Sequence, residues 1–300
     1  MKIIENNKKN IKDNIDYWFF LFIPILIYSL FFIIPNIKSI YMSFFEWDGL
    51  SPTKLFVGLD NFTSLFTQDK QFIISLRNTL VYTVVVLILQ NLIALMVAVL
   101  ISDSKKKINS VYRTIIYLPY MLSSVAIGFI WTFIYDPNLG LINKIFETLG
   151  WEELCRAWLS QGPKTIIYIA LVHVWFGIGQ AMILFIAGLQ QIPNDIYEAA
   201  NVDGANALTI FFRITLPLLK PIILTVSTLT ILGCFKSFDF VYVLTGGGAD
   251  GASSVLALQI YKEAFQYSRV GYSSAISVVL LITVSLIAAF QFRLFREKEE

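Results

Sequence analysis

Six apolar stretches, each longer than 20 residues, constrain the fold of this chain more than any other feature. A helix needs about 20 apolar residues to cross the hydrocarbon core of a bilayer. Charged residues make up only 15% of the 300-residue sequence, whereas they make up about a quarter of a soluble domain. We therefore predict an all-α, polytopic membrane protein that forms one domain over residues 1–300. Its six spans are predicted at about 17–37, 78–102, 114–135, 165–190, 217–243 and 270–292.

The fifth stretch differs from the others because it contains charged residues. Lys220 lies near one end, and Lys236 and Asp239 lie near the other. On a continuous helix, Lys236 and Asp239 share one face and can form an ion pair, which lowers the cost of burying them. The alternative is that both lie in water at the membrane surface.

The distribution of Lys and Arg predicts the orientation of the chain, because these residues are enriched in short cytoplasmic loops. Thirteen of the 23 basic residues fall in short segments on one side of the predicted spans. These are Lys2, Lys8, Lys9, Lys12, Lys105, Lys106, Lys107, Arg113, Arg213, Lys220, Arg293, Arg296 and Lys298. We therefore expect both termini, and the segment 191–216 between spans four and five, to be cytoplasmic. The first stretch should remain as an anchor, because residues 1–93 contain no alanine for a signal-peptidase site.

Composition and motifs exclude several other classes of protein. The net charge is only +2 and the basic residues are scattered, which argues against a nucleic-acid partner. Cys155 and Cys234 have neither metal-site nor disulfide spacing, and we expect them to be unpaired. The glycine run 246–248 lacks the Lys-Ser/Thr of a phosphate-binding loop. A lone His173 can form neither a His-based triad nor a multi-His metal site, so we favour a packed, hydrogen-bonded histidine over a proton carrier.

The segment 191–216 is predicted to form two short helices separated by a turn. Asn194 or Asp195 can cap the first helix, and Asp203-Gly204 can form the break, with Asp203 capping the second helix. Apolar residues recur at helical spacing over 205–216, and Pro217 should stop or kink that helix.

The residues of this segment carry a family resemblance. The sequence EAA-x-x-DGA, followed by FRITLP, resembles the coupling motif in permease subunits of bacterial ABC importers, where the turn docks in a cleft of the ATP-hydrolysing subunit. The resemblance implies that Glu198 faces a basic residue of the ATPase and that Gly204 permits the sharp turn. The matching positions are Glu198, Ala199, Ala200, Asp203, Gly204, Ala205, Phe212, Ile214 and Pro217.

The rest of the chain resembles the carbohydrate branch of these permeases. The matching pieces include Gly58-x-x-Asn61-Phe62, Arg77-Asn-Thr79, Tyr117-Leu-Pro119, Asp136-Pro137 with Gly140-Leu-Ile-Asn143, Phe238-Asp239 and Leu244-Thr-Gly-Gly-Gly248. One departure is Ala249–Ser253, where members often carry a Pro and then a Thr. By resemblance, the sugar pocket of maltose-type permeases corresponds to residues 175–180 and the region around Asp239. The implied substrate-binding residues are Trp175, Gln180, Ser237, Phe238, Asp239 and Tyr242. Aromatic residues in a span also serve as packing or belt residues, so that alternative stays open for Trp175.

The resemblance further implies the assembly and its location. A second, related permease, expected to be a different chain, would complete the pathway in the bacterial cytoplasmic membrane. Two ATPase subunits would bind ATP and Mg, so that this chain needs no cofactor, and an external or periplasmic protein would deliver the solute. We expect an oligosaccharide or disaccharide; glycerol phosphate or a similar polar solute is the alternative. An ion-coupled secondary transporter is a further alternative, but it favours acids at mid-membrane, and the spans hold only Asp239.

Overall fold

The computed structural model describes residues 20–102 and 107–296. The first three residues of the first predicted span lie outside the described residues. The same is true of seven lysines used to predict orientation, which are Lys2, Lys8, Lys9, Lys12, Lys105, Lys106 and Lys298.

Helices dominate the described chain, as predicted, and one short β-hairpin is the only sheet in the described residues. Its first part contains α1 (Phe20–Met42), β1 (Phe45–Glu46), β2 (Leu55–Phe56), α2 (Asp60–Thr67), α3 (Lys70–Ile101), α4 (Lys107–Met121), α5 (Ser124–Ile134) and α6 (Leu141–Thr148). Three single 3-10 turns follow. The second part contains α7 (Thr165–Leu189), α8 (Asn194–Val202), α9 (Ala207–Leu218), α10 (Lys220–Phe235), α11 (Asp239–Thr245), α12 (Leu256–Tyr261, continued by a π turn at Lys262–Gln266) and α13 (Val270–Arg296).

Four helices of the described chain are long and apolar enough to cross a membrane: α1, α3, α7 and α13. Two bent pairs, α4 with α5 and α9 with α10, raise the number to six if each pair is one crossing. The chain is therefore a multi-pass helical membrane protein, with the bent pairs at the third and fifth predicted stretches.

The third stretch, 114–135, is broken instead of forming one continuous helix. Helices α4 and α5 meet at 95°. Pro119 lies in the last turn of α4 and has no N–H to continue the helical hydrogen bonds, and Ser123 is extended with ψ 133°. The break directs the residues on both sides of it, Tyr120 and Ser124, toward the same cavity.

The fifth stretch, 217–243, is broken twice. Helices α9 and α10 bend by 67° at Leu219, between Pro217 and Pro221. Helix α10 ends at Phe235, and α11 begins only at Asp239. The prediction that Lys236 and Asp239 share one helix face and pair is therefore wrong. The ion pairs among the described residues join Lys144 to Glu147 and Arg269 to Glu263.

Helix α7 lies at the centre of the bundle, packed between α3, α4 and α10. Two glycines explain how closely it is packed. A Cβ on Gly177 would lie 2.2 Å from Oε1 of Gln90 on α3, and a Cβ on Gly179 would lie 2.6 Å from the backbone oxygen of Ile116 on α4. Because neither glycine has a side chain, α7 approaches both neighbours closely at these positions.

Three asparagines that belong to the resemblance hold the loops to the helices through backbone carbonyl oxygens. Asn61 donates to Ser43 and Phe45, and Asn78 donates to Ala252 and Ser254. Asn143 is buried, donates to two carbonyl oxygens and accepts the indole N–H of Trp158 at 2.8 Å. These bonds order the loops at the end of the bundle away from α8 and α9.

Candidate coupling segment and transmembrane cavities

The turn between α8 and α9 has the hydrogen bonds of a glycine-terminated helix. The N–H of Ala205 donates to the carbonyl of Ala200 at 3.0 Å, and the N–H of Gly204 donates to that of Asn201 at 3.1 Å. Gly204 has φ +76°, a conformation that costs glycine little and other residues more. The EAA-x-x-DGA sequence thus encodes the end of a helix, and the chain reverses direction at Gly204.

The predicted capping residues of both short helices are wrong. Pro193 occupies the cap of α8 without a side-chain hydrogen bond, and Asn194 is already helical. Asp195 lies in the first turn, where a negative charge is favourable. Helix α9 is capped by Asn206, whose Oδ1 accepts the N–H of Thr209 at 2.8 Å. Asp203 cannot cap α9, because it is the last residue of the preceding helix end and the turn at Gly204 separates them.

The segment presents two different surfaces. Tyr197, Phe211 and Leu216 pack against the apolar cluster at the end of α3 and α7, and Ala200 is buried beside them. On the other side, Glu198 and Ala199 are exposed. Apolar side chains are also exposed there: Val202 to 88%, Leu208 to 70% and Phe212 to 60%. A surface that is tied to the bundle on one side and apolar but uncovered on the other has the form of a docking element.

Several basic residues lie at the same end of the bundle as the candidate coupling segment, residues 191–216, which is called the coupling segment below. The guanidinium of Arg113 donates to the carbonyls of Ile101 and Ser102, and so satisfies the end of α3. Arg213 and Lys220 are exposed on α9 and at the start of α10. These three residues belong to the predicted cytoplasmic group.

An upper cavity of about 420 Å³ lies where α4, α5, α7, α10 and α11 meet, toward the end away from the coupling segment. Its lining combines aromatic rings with hydroxyls, an ammonium group and a carboxylate. The lining residues are Tyr120, Leu122, Ser124, His173, Phe176, Gly233, Lys236, Ser237, Phe238, Asp239 and Phe240. Three predicted substrate residues, Ser237, Phe238 and Asp239, are therefore brought together.

Hydrogen bonds fix the polar groups of the upper cavity. The Tyr82 hydroxyl bonds to Nδ1 of His173 at 2.6 Å and to the Ser237 hydroxyl at 2.9 Å. The Ser124 hydroxyl at the start of α5 donates to Oδ2 of Asp239 at the start of α11. His173 is therefore packed and hydrogen-bonded, as predicted, but it also faces the cavity.

A lower cavity of about 200 Å³ lies deeper between α3, α7 and α10, toward the coupling segment. It shares Tyr120, His173, Phe176 and Gly233 with the upper cavity, so the two lie end to end. Gln180, a predicted substrate residue, lines this lower cavity. Gln90 also lines it, bonds to Thr230 at 3.4 Å, and was not predicted from the sequence.

Two predicted substrate residues lie outside both cavities. Trp175 packs edge-on against Trp131, with ring centroids 5.7 Å apart. Tyr242 stacks on Phe238, with centroids 4.9 Å apart and planes at 18°. Trp175 therefore makes a packing contact, which was the alternative to sugar binding. Tyr242 is connected to the upper cavity only through Phe238.

Sequence reasoning missed Tyr120, Ser124 and Gly233 as cavity residues, whereas Phe176 lies in the predicted range 175–180. The available signal was Pro119 with the serine pair 123–124, which marks a break in the third span. Residues beside a helix break inside a membrane line a cavity or are covered by protein.

Cys155 and Cys234 are both free, as predicted. No group of three or more metal-binding side chains occurs in residues 20–102 and 107–296.

The chain matches one known protein family over most of its length. The model of the family described as binding-protein-dependent transport system inner membrane component matches residues 90–298, which include the coupling segment and both cavities. The chain belongs to this family. Proteins of this family are membrane components of transport systems, so the chain is a permease subunit of an ABC importer and not an enzyme.

Relatives and a solved structure cover nearly the whole permease. The Bacillus subtilis (strain 168) protein named probable ABC transporter permease protein YurN is 35% identical over 93% of this chain and 95% of its own length. The multiple sugar-binding transport system permease protein MsmF of Streptococcus mutans is 30% identical over 94% of this chain and 96% of its own length. A chain from a bacterial ABC transporter involved in import of the acidic polysaccharide alginate superposes with a TM-score of 0.83 at 25% identity. That superposition covers 96% of this permease and 98% of the other chain.

Proposed function

We propose that this permease forms, with a second related permease, the membrane pathway for an oligosaccharide or disaccharide, driven by ATP hydrolysis in separate subunits. The observation that carries the proposal is the pair of joined cavities, about 420 and 200 Å³, whose walls alternate aromatic rings with hydroxyl, amide and carboxylate groups. Such walls suit a sugar, which presents apolar C–H faces and a rim of hydroxyls. The relative named as a multiple-sugar permease adds support.

Within the cavities, Asp239, Ser237 and Gln180 would exchange hydrogen bonds with sugar hydroxyls, and Phe238 would contact a ring face. Asp239 suits this role because it accepts one hydrogen bond from Ser124 and has no ion pair among the described residues. Its carboxylate therefore retains acceptor capacity for a ligand. Trp175 stays a prediction, and its indole reaches neither cavity.

The segment from α8 to α9 would transmit the work of ATP hydrolysis. In this proposal Glu198 and Ala199 face a cleft of an ATPase subunit, and the exposed ring of Phe212 fills an apolar part of it. Ala200, Asp203, Gly204 and Ala205 form the rigid turn, and Pro217 lies just before the bend into α10. A rigid element docked in a moving subunit can rock the attached helices between inward- and outward-facing states.

The same proposal sets the orientation and the remaining partners. The permease would lie in the bacterial cytoplasmic membrane among its lipids, with both termini, α8 and α9 in the cytoplasm. Two ATPase subunits would hold ATP and Mg, and this chain would need no cofactor. A binding protein outside the cell would deliver the solute to the opposite face.

Lys236 favours a second candidate solute, an organic phosphate such as glycerol phosphate. Its ammonium group is exposed at the upper cavity and has no acidic partner within the described residues. An anionic solute would pair with it, whereas the neighbouring carboxylate of Asp239 would repel the same solute. The two residues together therefore favour a neutral saccharide.

The proposal is tested on the purified complex of this permease, its second permease, its ATPase subunits and its binding protein, reconstituted in liposomes. Thermal shifts of the binding protein with maltose, maltotriose, cellotriose, diacetylchitobiose and sn-glycerol 3-phosphate select the solute. We expect one of the saccharides to be taken up only when ATP is supplied. Uptake of sn-glycerol 3-phosphate alone would replace the saccharide proposal, and uptake on an ion gradient without ATP would contradict the ATP-driven mechanism.

A further inference from the structure

Four aromatic rings form a continuous strip that starts in the upper cavity and leaves it. Phe238 lines the cavity and stacks on Tyr242, with ring centroids 4.9 Å apart. Both rings contact Tyr261, at 5.1 and 5.8 Å, and Tyr261 contacts Phe265 at 5.4 Å. The strip therefore crosses from α11 to α12 and ends on the π turn after α12.

The spacing of these residues along the chain explains the strip. Phe238 and Tyr242 are four residues apart at the start of α11, and Tyr261 and Phe265 are four apart across the end of α12. Residues at this spacing lie on one face of a helix. Because α11 and α12 are adjacent in the fold, two such pairs form one row of rings.

The outer part of the strip is uncovered. Tyr242 is 43% exposed and Phe265 is 77% exposed. The next aromatic residue, Tyr267, is also exposed and lines a polar groove of about 1240 Å³ between the β-hairpin, α2 and the start of α13. The strip therefore extends from the upper cavity toward this groove, at the end of the bundle opposite the coupling segment.

Charged and polar groups beside the strip distinguish it from a lipid-facing surface. Lys262 donates to the carbonyl of Gly246 at 2.7 Å, and buried Glu263 pairs with Arg269. Burial raises the pKa of Glu263, while the guanidinium of Arg269 opposes that rise. By contrast, the exposed aromatic residues of α1 between Phe20 and Ile34 have no charged residue among them. A row of rings flanked by charges suits a water-filled path better than hydrocarbon.

We propose that Phe238, Tyr242, Tyr261 and Phe265 form a track on which saccharide rings slide between the outer face and the upper cavity. This inference rests on the proposed function. The apolar C–H face of a pyranose stacks on an aromatic ring, while its hydroxyls stay in water or bond to the two tyrosine hydroxyls. Successive rings are 4.9 to 5.8 Å apart, so that a disaccharide contacts the next ring before it leaves the previous one. The chemical class predicted is a neutral oligosaccharide with exposed ring faces.

The test uses the complete complex in liposomes and measures the initial uptake rate of maltotriose, or of cellotriose if that saccharide is the one transported. We expect Phe265→Ala and Tyr242→Ala each to lower the rate about three- to tenfold, the effect of losing one aromatic contact. Phe265→Trp should restore the rate to within about twofold of wild type, since any aromatic face serves the track. Phe133→Ala is the matched control, because Phe133 on α5 is also 77% exposed but lies outside the strip. It should leave uptake unchanged.

Size-exclusion chromatography of each variant complex separates the track from its main alternative, a contact with the second permease. If Phe265→Ala releases the second permease, the strip is a subunit interface and the track is wrong. Wild-type uptake by an intact Phe265→Ala or Tyr242→Ala complex would equally overturn it. If the wild-type complex takes up no saccharide at all, the proposed function has failed, and the track fails with it.

Discussion

The hydroxyl of Tyr82 on α3 lies 2.6 Å from Nδ1 of His173 on α7. The same hydroxyl bonds to Ser237, in the middle of the break between α10 and α11. One buried phenol thus connects three separate elements around the upper cavity and sets the orientation of the imidazole that faces it.

Replacing Tyr82 by Phe should destabilise the permease by about 1–3 kcal/mol, because two partners lose a buried hydrogen bond. The thermal midpoint in detergent should fall, and so should the saccharide-dependent part of the ATPase rate of the complex. Tyr112→Phe is the control, since Tyr112 is exposed on α4. Equal midpoints for the two variants would show that the Tyr82 hydroxyl does not hold His173.

Substituting Asp239 by Ala should weaken the stimulation of ATPase activity by saccharide, because a hydrogen-bond acceptor is lost from the upper cavity. We expect a loss of about tenfold in apparent affinity, as for a hydrogen bond to a charged group. The measurement is ATPase rate against saccharide concentration in the reconstituted complex. Asp250→Ala, on an exposed 3-10 turn, should behave as wild type. An ATPase rate that depends on saccharide concentration as in wild type would show that Asp239 does not bind the saccharide.

Reversing the charge at Glu198 should abolish ATP-driven uptake while the two permeases still assemble. The side chain is exposed on α8, so Glu198→Lys should not disturb the packing of the bundle. A lysine facing a basic residue of the ATPase would repel it. The measurement is co-purification of the ATPase subunits together with uptake, and Glu152→Lys, exposed at the opposite end, is the control. Normal uptake by Glu198→Lys would contradict the coupling role of this segment.

Changing Gly204 to Ala should lower the free energy of unfolding by about 1 kcal/mol, because φ +76° is strained for a residue with a Cβ. No atom lies within 4 Å of the added Cβ, so the cost is conformational and not steric. Coupling should weaken as the turn relaxes, which the ratio of uptake to ATP hydrolysis measures. Gly233→Ala is the control for stability, since its Cβ also meets nothing and its φ is ordinary. A thermal midpoint for Gly204→Ala equal to that of Gly233→Ala would refute the strain.

The loop that contains Asp48, at the end of the bundle opposite α8 and α9, should respond to acid. Hydrogen bonds from the side chain and N–H of Ser51 and from the N–H of Leu50 lower the pKa of Asp48 from 3.8 to about 2. A carboxyl whose pKa is lowered by folding stabilises the fold above its unfolded pKa and loses that effect as the pH falls toward the folded value. The difference in thermal midpoint between wild type and Asp48→Ala should therefore be constant above about pH 5 and shrink between about pH 4 and 2. A difference that grows on acidification would contradict this assignment.

Much of the coupling segment could be predicted from its sequence, because its structure is local. The reversal at Gly204 and the helical spacing of apolar residues over 205–216 follow from residues a few places apart in the chain. The errors were also local. Asp203 ends α8, and the turn continues through Gly204 and Ala205 before the backbone takes the extended conformation of a helix cap. Asn206 therefore caps α9, where Asp203 was expected.

The sequence alone determined that this protein is a helical, multi-pass membrane protein, because runs of apolar residues longer than 20 leave few other folds. It also determined the turn at Gly204, where only the backbone freedom of one residue is at issue. Only the tertiary structure decided that the third and fifth stretches are bent, that Lys236 and Asp239 do not pair, and that Tyr120, Ser124 and His173 meet at one cavity. The bends and the separation of Lys236 from Asp239 come from local breaks at 119–123, 217–221 and 236–238, which a run of apolar residues does not reveal. The meeting at the cavity joins Tyr120 and Ser124 to His173, about 50 positions further along the chain. It depends on how closely α7 packs against its neighbours, which hydrophobic periodicity does not encode.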